Sequence, residues 1–182
     1  MKSPRVLSRI AAATVAALLV GGIANATQPA TPVNSTVSVD WTNPADFTEE
    51  KKSRSFGLAR ETPEQWVGEL ARYVERRGAR LLAPGQTLDV TFTDITRAGA
   101  FEPWRGPKLD DTRFIKDIYP PAIDLHFTLR NADGGIVLEG TRKLRDAAFL
   151  SRGTPSNTDP LRYEKRMLDD WLRRDFAPST AS

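Results

Sequence analysis

Four segments alternate apolar and polar residues, and this alternation restricts the fold more than any other feature. The clearest is 123–130, in which every second residue is Ile, Leu or Phe, and segments 36–41, 88–93 and 136–145 repeat the pattern. Successive strand side chains point to opposite faces, so each segment predicts a strand buried on one face only. Such strands are typical of antiparallel sheets. The polar face is either simply solvated or a platform for a ligand or partner.

Two further segments carry helix signals. Thr62-Pro63-Glu64-Gln65 offers a capping residue, a proline suited to the first helical position and a glutamine that completes a capping box. The buried stripe of this helix runs from Trp66 to Leu81, and Asp159-Pro160 starts a last helix whose apolar side ends at Phe176. The order β-α-β-β-β-α predicts an α+β domain, with a largely antiparallel four-stranded sheet and two helices packed on one face.

The connections differ in character. Thr48–Arg60 is charged and contains Gly and Ser, which predicts a loop, and Asn131–Gly135 predicts a hairpin turn. Gly140 predicts a bulge in the last strand. Ala98–Pro121 is long and irregular, yet rich in aromatic residues and prolines that favour order. Loops longer than about 12–15 residues are uncommon unless they are functional or disordered, so this segment is a candidate site.

The N-terminus has the pattern of a secretory signal peptide. Three basic residues and no acid precede an apolar or small run over 10–23, and the small-residue motif with Ala24 and Ala26 follows. The run has 14 residues, whereas a helix needs about 20 to span a bilayer. We therefore predict a signal peptide over 1–26 that is cleaved after Ala26, with Ala30 as the alternative.

We predict that the mature protein is located in the periplasm. It would consist of a flexible linker over 27–34, a single α+β domain over 35–177 and a disordered tail over 178–182. The chain has no cysteine, which excludes a lipoprotein anchor and disulfides, so no stable membrane anchor is expected after cleavage. The chain has 26 basic and 23 acidic residues, and cleavage removes three basic ones, leaving 23 of each. A neutral domain gives no support to nucleic acid as a partner.

Two basic and aromatic groups are candidate binding sites. In the long loop, a tryptophan followed by an arginine forms a stacking or carboxylate-binding corner; the alternative is that the tryptophan plugs the core edge and the loop charges pair with one another. A basic run in the last strand binds a phosphate, carboxylate or glycan, or else is a solvated edge that discourages aggregation. The candidate binding residues are Trp104, Arg105, Lys116, Arg142, Lys143 and Arg145.

Catalytic and cofactor signals are weak. Asp124 and His126 share a strand face, and with the loop carboxylates Asp110, Asp111 and Asp117 they would supply acid and base groups to a hydrolase or lyase. The sequence has no nucleophile elbow and no nucleotide-binding glycine motif, so we assign no catalytic residue. A single histidine without cysteine argues against zinc. No cofactor or metal is predicted.

Four segments together resemble a known family. They are 101–106, 116–125, 142–146 and 159–172, which include the motifs FEPWRG, KDIYPP, RKLRD and DPLRYEK. The chain resembles the exported Gram-negative bacterial proteins grouped as domain of unknown function 3016 (DUF3016), over nearly all of the predicted mature chain. The resemblance implies a periplasmic location and a single domain. It implies no activity and no catalytic residue.

Three functions remain open from the sequence. The leading hypothesis is a non-enzymatic periplasmic protein that binds an envelope protein or a small anionic ligand. The alternative is a periplasmic hydrolase or lyase that acts on envelope polymers through Asp124, His126 and the loop carboxylates. The third is an assembly factor that dimerises through the sheet edge. The sequence does not fix the oligomeric state.

Overall fold

The computed structural model describes residues 34–55, 62–153 and 158–177. All of these lie in one compact unit, Pro32–Ser182. The predicted signal peptide with its cleavage residues Ala24 and Ala26, the linker as far as residue 33 and the predicted tail lie outside the described residues. Within the described ranges, no helix has the length and apolar character that crossing a membrane requires.

The fold is α+β, with a four-stranded sheet in the order β1-β2-β5-β6 and a separate two-stranded ribbon of β3 and β4. The strands are β1 (Thr36–Trp41), β2 (Thr87–Thr96), β3 (Ala100–Phe101), β4 (Arg113–Phe114), β5 (Ala122–Arg130) and β6 (Ile136–Arg145). The α-helices are α1 (Thr48–Ser55), α2 (Pro63–Gly78) and α3 (Arg162–Phe176). Short 3-10 helices occur at Pro44–Asp46, Pro103–Arg105 and Pro107–Leu109.

The four-stranded sheet is mixed, which corrects the prediction of a largely antiparallel one. β2 pairs antiparallel with β5, and β5 with β6 through the predicted hairpin turn, but β1 pairs parallel with β2, with Val37 opposite Leu88. Helix α2 lies between β1 and β2 in the chain and provides the long crossover that a parallel pair needs. Alternation shows which face of a strand is buried but not the direction of its neighbour.

The core lies between one face of the sheet and helices α2 and α3. The inward residues of β2 and β5 form one buried cluster with the apolar stripes of both helices. Trp171 on α3 is fully buried, and its ring meets that of Phe127 on β5 edge-on, with the centroids 5.8 Å apart. The helices are also tied directly, because Asp169 accepts hydrogen bonds from the Tyr73 hydroxyl at 2.7 Å and from Arg77 Nε at 2.9 Å.

Helix α1 occupies a segment that the sequence predicts as a loop. Its acidic residues lie in the first turn and basic residues in the last turn, and this order interacts favourably with the helix dipole. Its N-terminus is held by Asp94 of β2, whose carboxylate accepts from the Thr48 N–H at 2.6 Å and from the Thr48 hydroxyl at 2.7 Å. This carboxylate comes from 46 residues further along the chain, so no local pattern shows it.

Two smaller predictions are also wrong. The side chain of Thr62 makes no capping hydrogen bond at the start of α2, so the capping box does not form. Gly140 pairs regularly with Phe127, and the register shift of β6 instead lies between Leu138 and Ile136. The bulged residue is therefore Val137, next to the hairpin turn.

Candidate functional site

The long segment between β2 and β5 is ordered around one buried carboxylate. Glu102 is only 1% exposed. It accepts hydrogen bonds from Lys116 Nζ at 2.5 Å and from the Tyr119 hydroxyl at 3.0 Å, and Arg105 Nε makes a further short contact. The Lys116 hydrogen bond, with smaller contributions from Arg105 and Tyr119, holds the pKa of Glu102 at about 2 against the opposing effect of burial. Two predicted binding residues, Arg105 and Lys116, thus bind a carboxylate of their own loop.

The β3–β4 ribbon adds two stacked cation–ring pairs to this segment. The Arg113 guanidinium lies 4.7 Å from the centroid of the Phe101 ring, and that of Arg105 lies 4.7 Å from the Phe114 ring. The turn before the ribbon needs glycine, because Gly99 has a φ of +80° and an added Cβ would lie 2.7 Å from the Phe114 carbonyl oxygen. The two cation–ring contacts hold β3, β4 and the loop between them together.

A second buried carboxylate joins α1 to the same segment. Glu49 is 4% exposed and accepts from the Arg97 backbone N–H at 3.1 Å and from Arg97 Nε at 3.3 Å. Arg113 Nη2 also contacts it, while Arg113 Nη1 donates to the carbonyl oxygens of Ala98 at 3.2 Å and Gly99 at 3.0 Å. One acid and two arginines therefore connect α1, the end of β2 and the ribbon.

Between α1, the ribbon and the adjoining end of the sheet lies a cavity of about 530 Å³. We call it the α1 cavity. Its lining is mainly apolar and includes three aromatic side chains of the long loop and four basic side chains. The residues that matter for its chemistry are Lys52, Phe101, Trp104, Arg113, Tyr119 and Arg145.

The structure brings two predicted binding residues, Trp104 and Arg145, together in this lining. Trp104 is 65% exposed, so it does not plug the core edge. The other half of that alternative is confirmed, because the loop charges of Arg105 and Lys116 pair with Glu102. Arg145 reaches the cavity from the end of β6. Its Nη1 donates to Asp124 Oδ1 at 2.7 Å and to the Leu144 carbonyl oxygen at 2.8 Å.

The structure does not gather the basic run of β6 into one cluster. Arg142 points to the helix side of the sheet, where its Nε donates to Asp175 at 2.8 Å and its guanidinium lies 4.9 Å from the Phe127 ring centroid. Lys143 is exposed on the other face and does not belong to the cavity lining. Neighbouring strand residues alternate between faces, so Arg142 is separated from Lys143 and Arg145 by the sheet itself.

The structure does not place the acid–base pair of the hydrolase hypothesis in the α1 cavity. His126 is exposed on β5, opposite Thr91 of β2 and Thr141 of β6, and neither it nor Asp124 lines the α1 cavity. In the part of the chain that the structure describes, no group of three or more His, Cys, Asp or Glu side chains is placed to hold a metal ion. The loop carboxylates that also lie outside the cavity lining are Asp110, Asp111 and Asp117.

The sequence does not reveal three charged residues of the cavity lining. Glu49, Arg97 and Arg113 look like ordinary surface charges in the sequence, because each needs partners from distant segments before it can be buried. One local signal was present for α1. Acids followed by bases after Thr48 form the charge order of a short helix.

Comparison with known proteins places the chain in a family but not in a functional class. No curated protein and no solved structure matches it. Residues 35–174 match the model of a family described as "Protein of unknown function (DUF3016)", which confirms the family resemblance of the sequence motifs. The match includes the whole sheet, α1, the ribbon and Arg145. The chain therefore belongs to the DUF3016 family.

Proposed function

We propose that this protein is an exported, non-enzymatic binding protein of the cell envelope that holds a small anionic molecule in the α1 cavity. The observation that carries the proposal is that an exposed indole, Trp104, and a half-exposed guanidinium, Arg145, line the same cavity. A volume of about 530 Å³ lies within the range of small-molecule sites.

Arg145 has the donors that such a ligand needs. Both of its hydrogen bonds use Nη1, and in the described part of the chain Nε and Nη2 have no protein partner. A planar guanidinium binds a carboxylate or phosphate through paired N–H groups. The exposed face of Trp104 offers a surface on which a flat or apolar part of the same ligand can stack.

The charges of the lining favour an anion. Glu49 pairs with Arg97 and Arg113, and Asp94 binds the N-terminus of α1. The other basic side chains of the lining are Lys52 and Arg145, and Arg145 also donates to Asp124 through Nη1. Basic side chains outnumber acidic ones four to two, and a cavity with low-dielectric walls concentrates such a field. The basic lining residues are Lys52, Arg97, Arg113 and Arg145.

The envelope location is supported by the N-terminal charge, apolar run and cleavage motif. A hydrolase or lyase receives less support, because His126 and Asp124 lie outside the α1 cavity. An envelope protein as partner is compatible with the same site if it presents an acidic side chain or a carboxyl terminus to Arg145.

Tryptophan fluorescence tests the proposal directly. Of the four tryptophans, Trp66 and Trp171 are buried and Trp41 is partly buried against the core, and Trp104 alone lines the α1 cavity. A ligand in this cavity should therefore change the Trp104 emission most. We expect titration with benzoate or phenyl phosphate to change this emission, and the neutral benzyl alcohol to have a much smaller effect. Trp104→Phe should abolish the change.

Arg145→Ala should raise the dissociation constant about tenfold or more, because it removes a charge-assisted hydrogen bond. Arg76→Ala is the matched control, since Arg76 is exposed on α2 and lies outside the cavity lining. Equal binding by Arg145→Ala and wild type, or equal binding of the neutral alcohol, would overturn the proposal.

A further inference from the structure

The strand β6 is a long and exposed edge. It lies at the end of the sheet formed by the described residues and extends over Ile136–Arg145. Ile136 and Val137 are 54% and 53% exposed, and Leu138 beside them is also exposed. An edge strand presents unpaired N–H and C=O groups that can pair with another strand. Charged residues and bulges usually block such pairing. The bulge at Val137 lies at the hairpin end of β6, so the charges of residues 138–145 decide what can pair with the rest of the strand.

Two of the four charged side chains of β6 can pair across an antiparallel dimer, while the other two, Arg142 and Arg145, already bind Asp175 and Asp124. Glu139 and Lys143 lie four residues apart on the same face of the strand, with Thr141 midway between them. If two copies of β6 pair antiparallel about Thr141, each Glu139 lies opposite Lys143 of the second copy. Leu138 then lies opposite Leu144 of the second copy on the other face. Opposite charges directly across an antiparallel pair are stabilising, and two-fold symmetry makes each contact occur twice.

Neighbouring registers are less favourable. A shift of two residues that centres the pair on Arg142 places this arginine opposite its own copy, and like charges in that position are destabilising. A shift the other way, centred on Gly140, pairs Glu139 with Thr141 and loses both ion pairs. The opposite edge of the sheet, β1, is shorter and carries Asp40 without any basic residue. Of the registers compared, the one about Thr141 alone forms two ion pairs, and it also places Leu138 opposite Leu144, which is only 6% exposed.

We infer that a second copy of this chain pairs antiparallel along β6 about Thr141, joining two four-stranded sheets into one continuous sheet across a two-fold axis. This inference does not depend on the ligand proposed for the α1 cavity.

Sedimentation equilibrium of the purified protein tests it by charge reversal. Wild type should show a concentration-dependent monomer–dimer equilibrium. Glu139→Lys and Lys143→Glu should each weaken it about tenfold or more, because two attractive pairs become two repulsive ones. An equimolar mixture of the two single variants, and the double variant alone, should both recover the dimer, since each restores unlike charges at both positions.

Glu64→Lys and Lys108→Glu are the matched controls, because both residues are exposed and lie outside β6. Circular dichroism would establish that each variant keeps the fold. A wild-type protein that stays monomeric up to millimolar concentration would overturn the inference. The inference would also be overturned if the single charge reversals left the dimer dissociation constant unchanged, or if the mixture of the two variants did not recover the dimer.

Discussion

The adjacent glutamates Glu49 and Glu50 should respond in opposite ways to loss of their charge. Both are buried at the start of α1. Glu49 is bonded to two arginines, whereas burial, reinforced by the neighbouring charge of Glu49, raises the pKa of Glu50. We therefore expect Glu49→Gln to destabilise the protein and Glu50→Gln to leave the free energy of unfolding at neutral pH unchanged or to raise it.

The magnitude follows from the surroundings of the two arginines. Removing one partner of a buried ion pair costs about 3–5 kcal/mol when the remaining charge is fully desolvated. The side chains of Arg97 and Arg113 are 12% and 20% exposed, and Arg113 keeps its bonds to two backbone carbonyls. Glutamine also retains one acceptor oxygen for the Arg97 N–H. We therefore expect Glu49→Gln to cost about 2 kcal/mol, close to one charge-assisted hydrogen bond, and Glu49→Ala about 3 kcal/mol.

Chemical denaturation at neutral pH measures these differences, and a loss of about 2 kcal/mol should also lower the Tm by about 4–8 °C. The pH dependence gives a second readout. Because its folded pKa is raised, Glu50 contributes stability that is complete below its unfolded pKa and is lost as the pH rises through the folded value. The advantage of Glu50→Gln should therefore grow from acid to neutral pH. A Glu50→Gln loss larger than that of Glu49→Gln would refute the reasoning.

Three further predictions concern the helix cap, the loop carboxylate and export. Asp94→Ala should remove the cap of α1 at a cost of about 1 kcal/mol, seen as faster amide hydrogen exchange at Thr48 and unchanged exchange in α3. Wild type should lose stability as the pH falls from the unfolded pKa of Glu102 toward its folded value of about 2, since this pKa is lowered in the folded state; Glu102→Gln should lack that part of the acid denaturation curve. Mass spectrometry of the protein from a periplasmic fraction should show Thr27 as the first residue, and a chain that retains the apolar run would contradict the predicted cleavage after Ala26.

The parts of the fold that were predictable are those with a repeating pattern. The four long strands and the helices α2 and α3 each carry an apolar period, and the structure has all of them. Helix α1 has no apolar face, and its buried side chains include Glu49 and Glu50. Hydrophobic periodicity predicts that charged residues are exposed, so it cannot predict a helix whose buried residues are acids. The burial of these acids depends on Asp94, Arg97 and Arg113, which come from other segments.

Only part of the candidate site was predictable from the sequence. Trp104 was predicted as a binding residue because it is an aromatic residue in a long loop, and Arg145 because it belongs to the basic run of β6. Strand alternation alone separates Arg142 from Arg145, so this separation was available from the sequence. The pairing of Arg105 and Lys116 with Glu102 was not, since it depends on how the loop closes.

The way the long loop is held explains why a cavity is left at this end of the sheet. A loop ordered by an apolar core of its own would bury Phe101 and Trp104, since burial of aromatic area would be its main source of stability. Here Glu102 and Glu49 order the loop through ion pairs and hydrogen bonds. Ion pairs fix the geometry of a loop through specific partners, and they do so without burying much apolar surface. Phe101 and Trp104 therefore line the α1 cavity while Glu102 and Glu49 fix the loop that carries them.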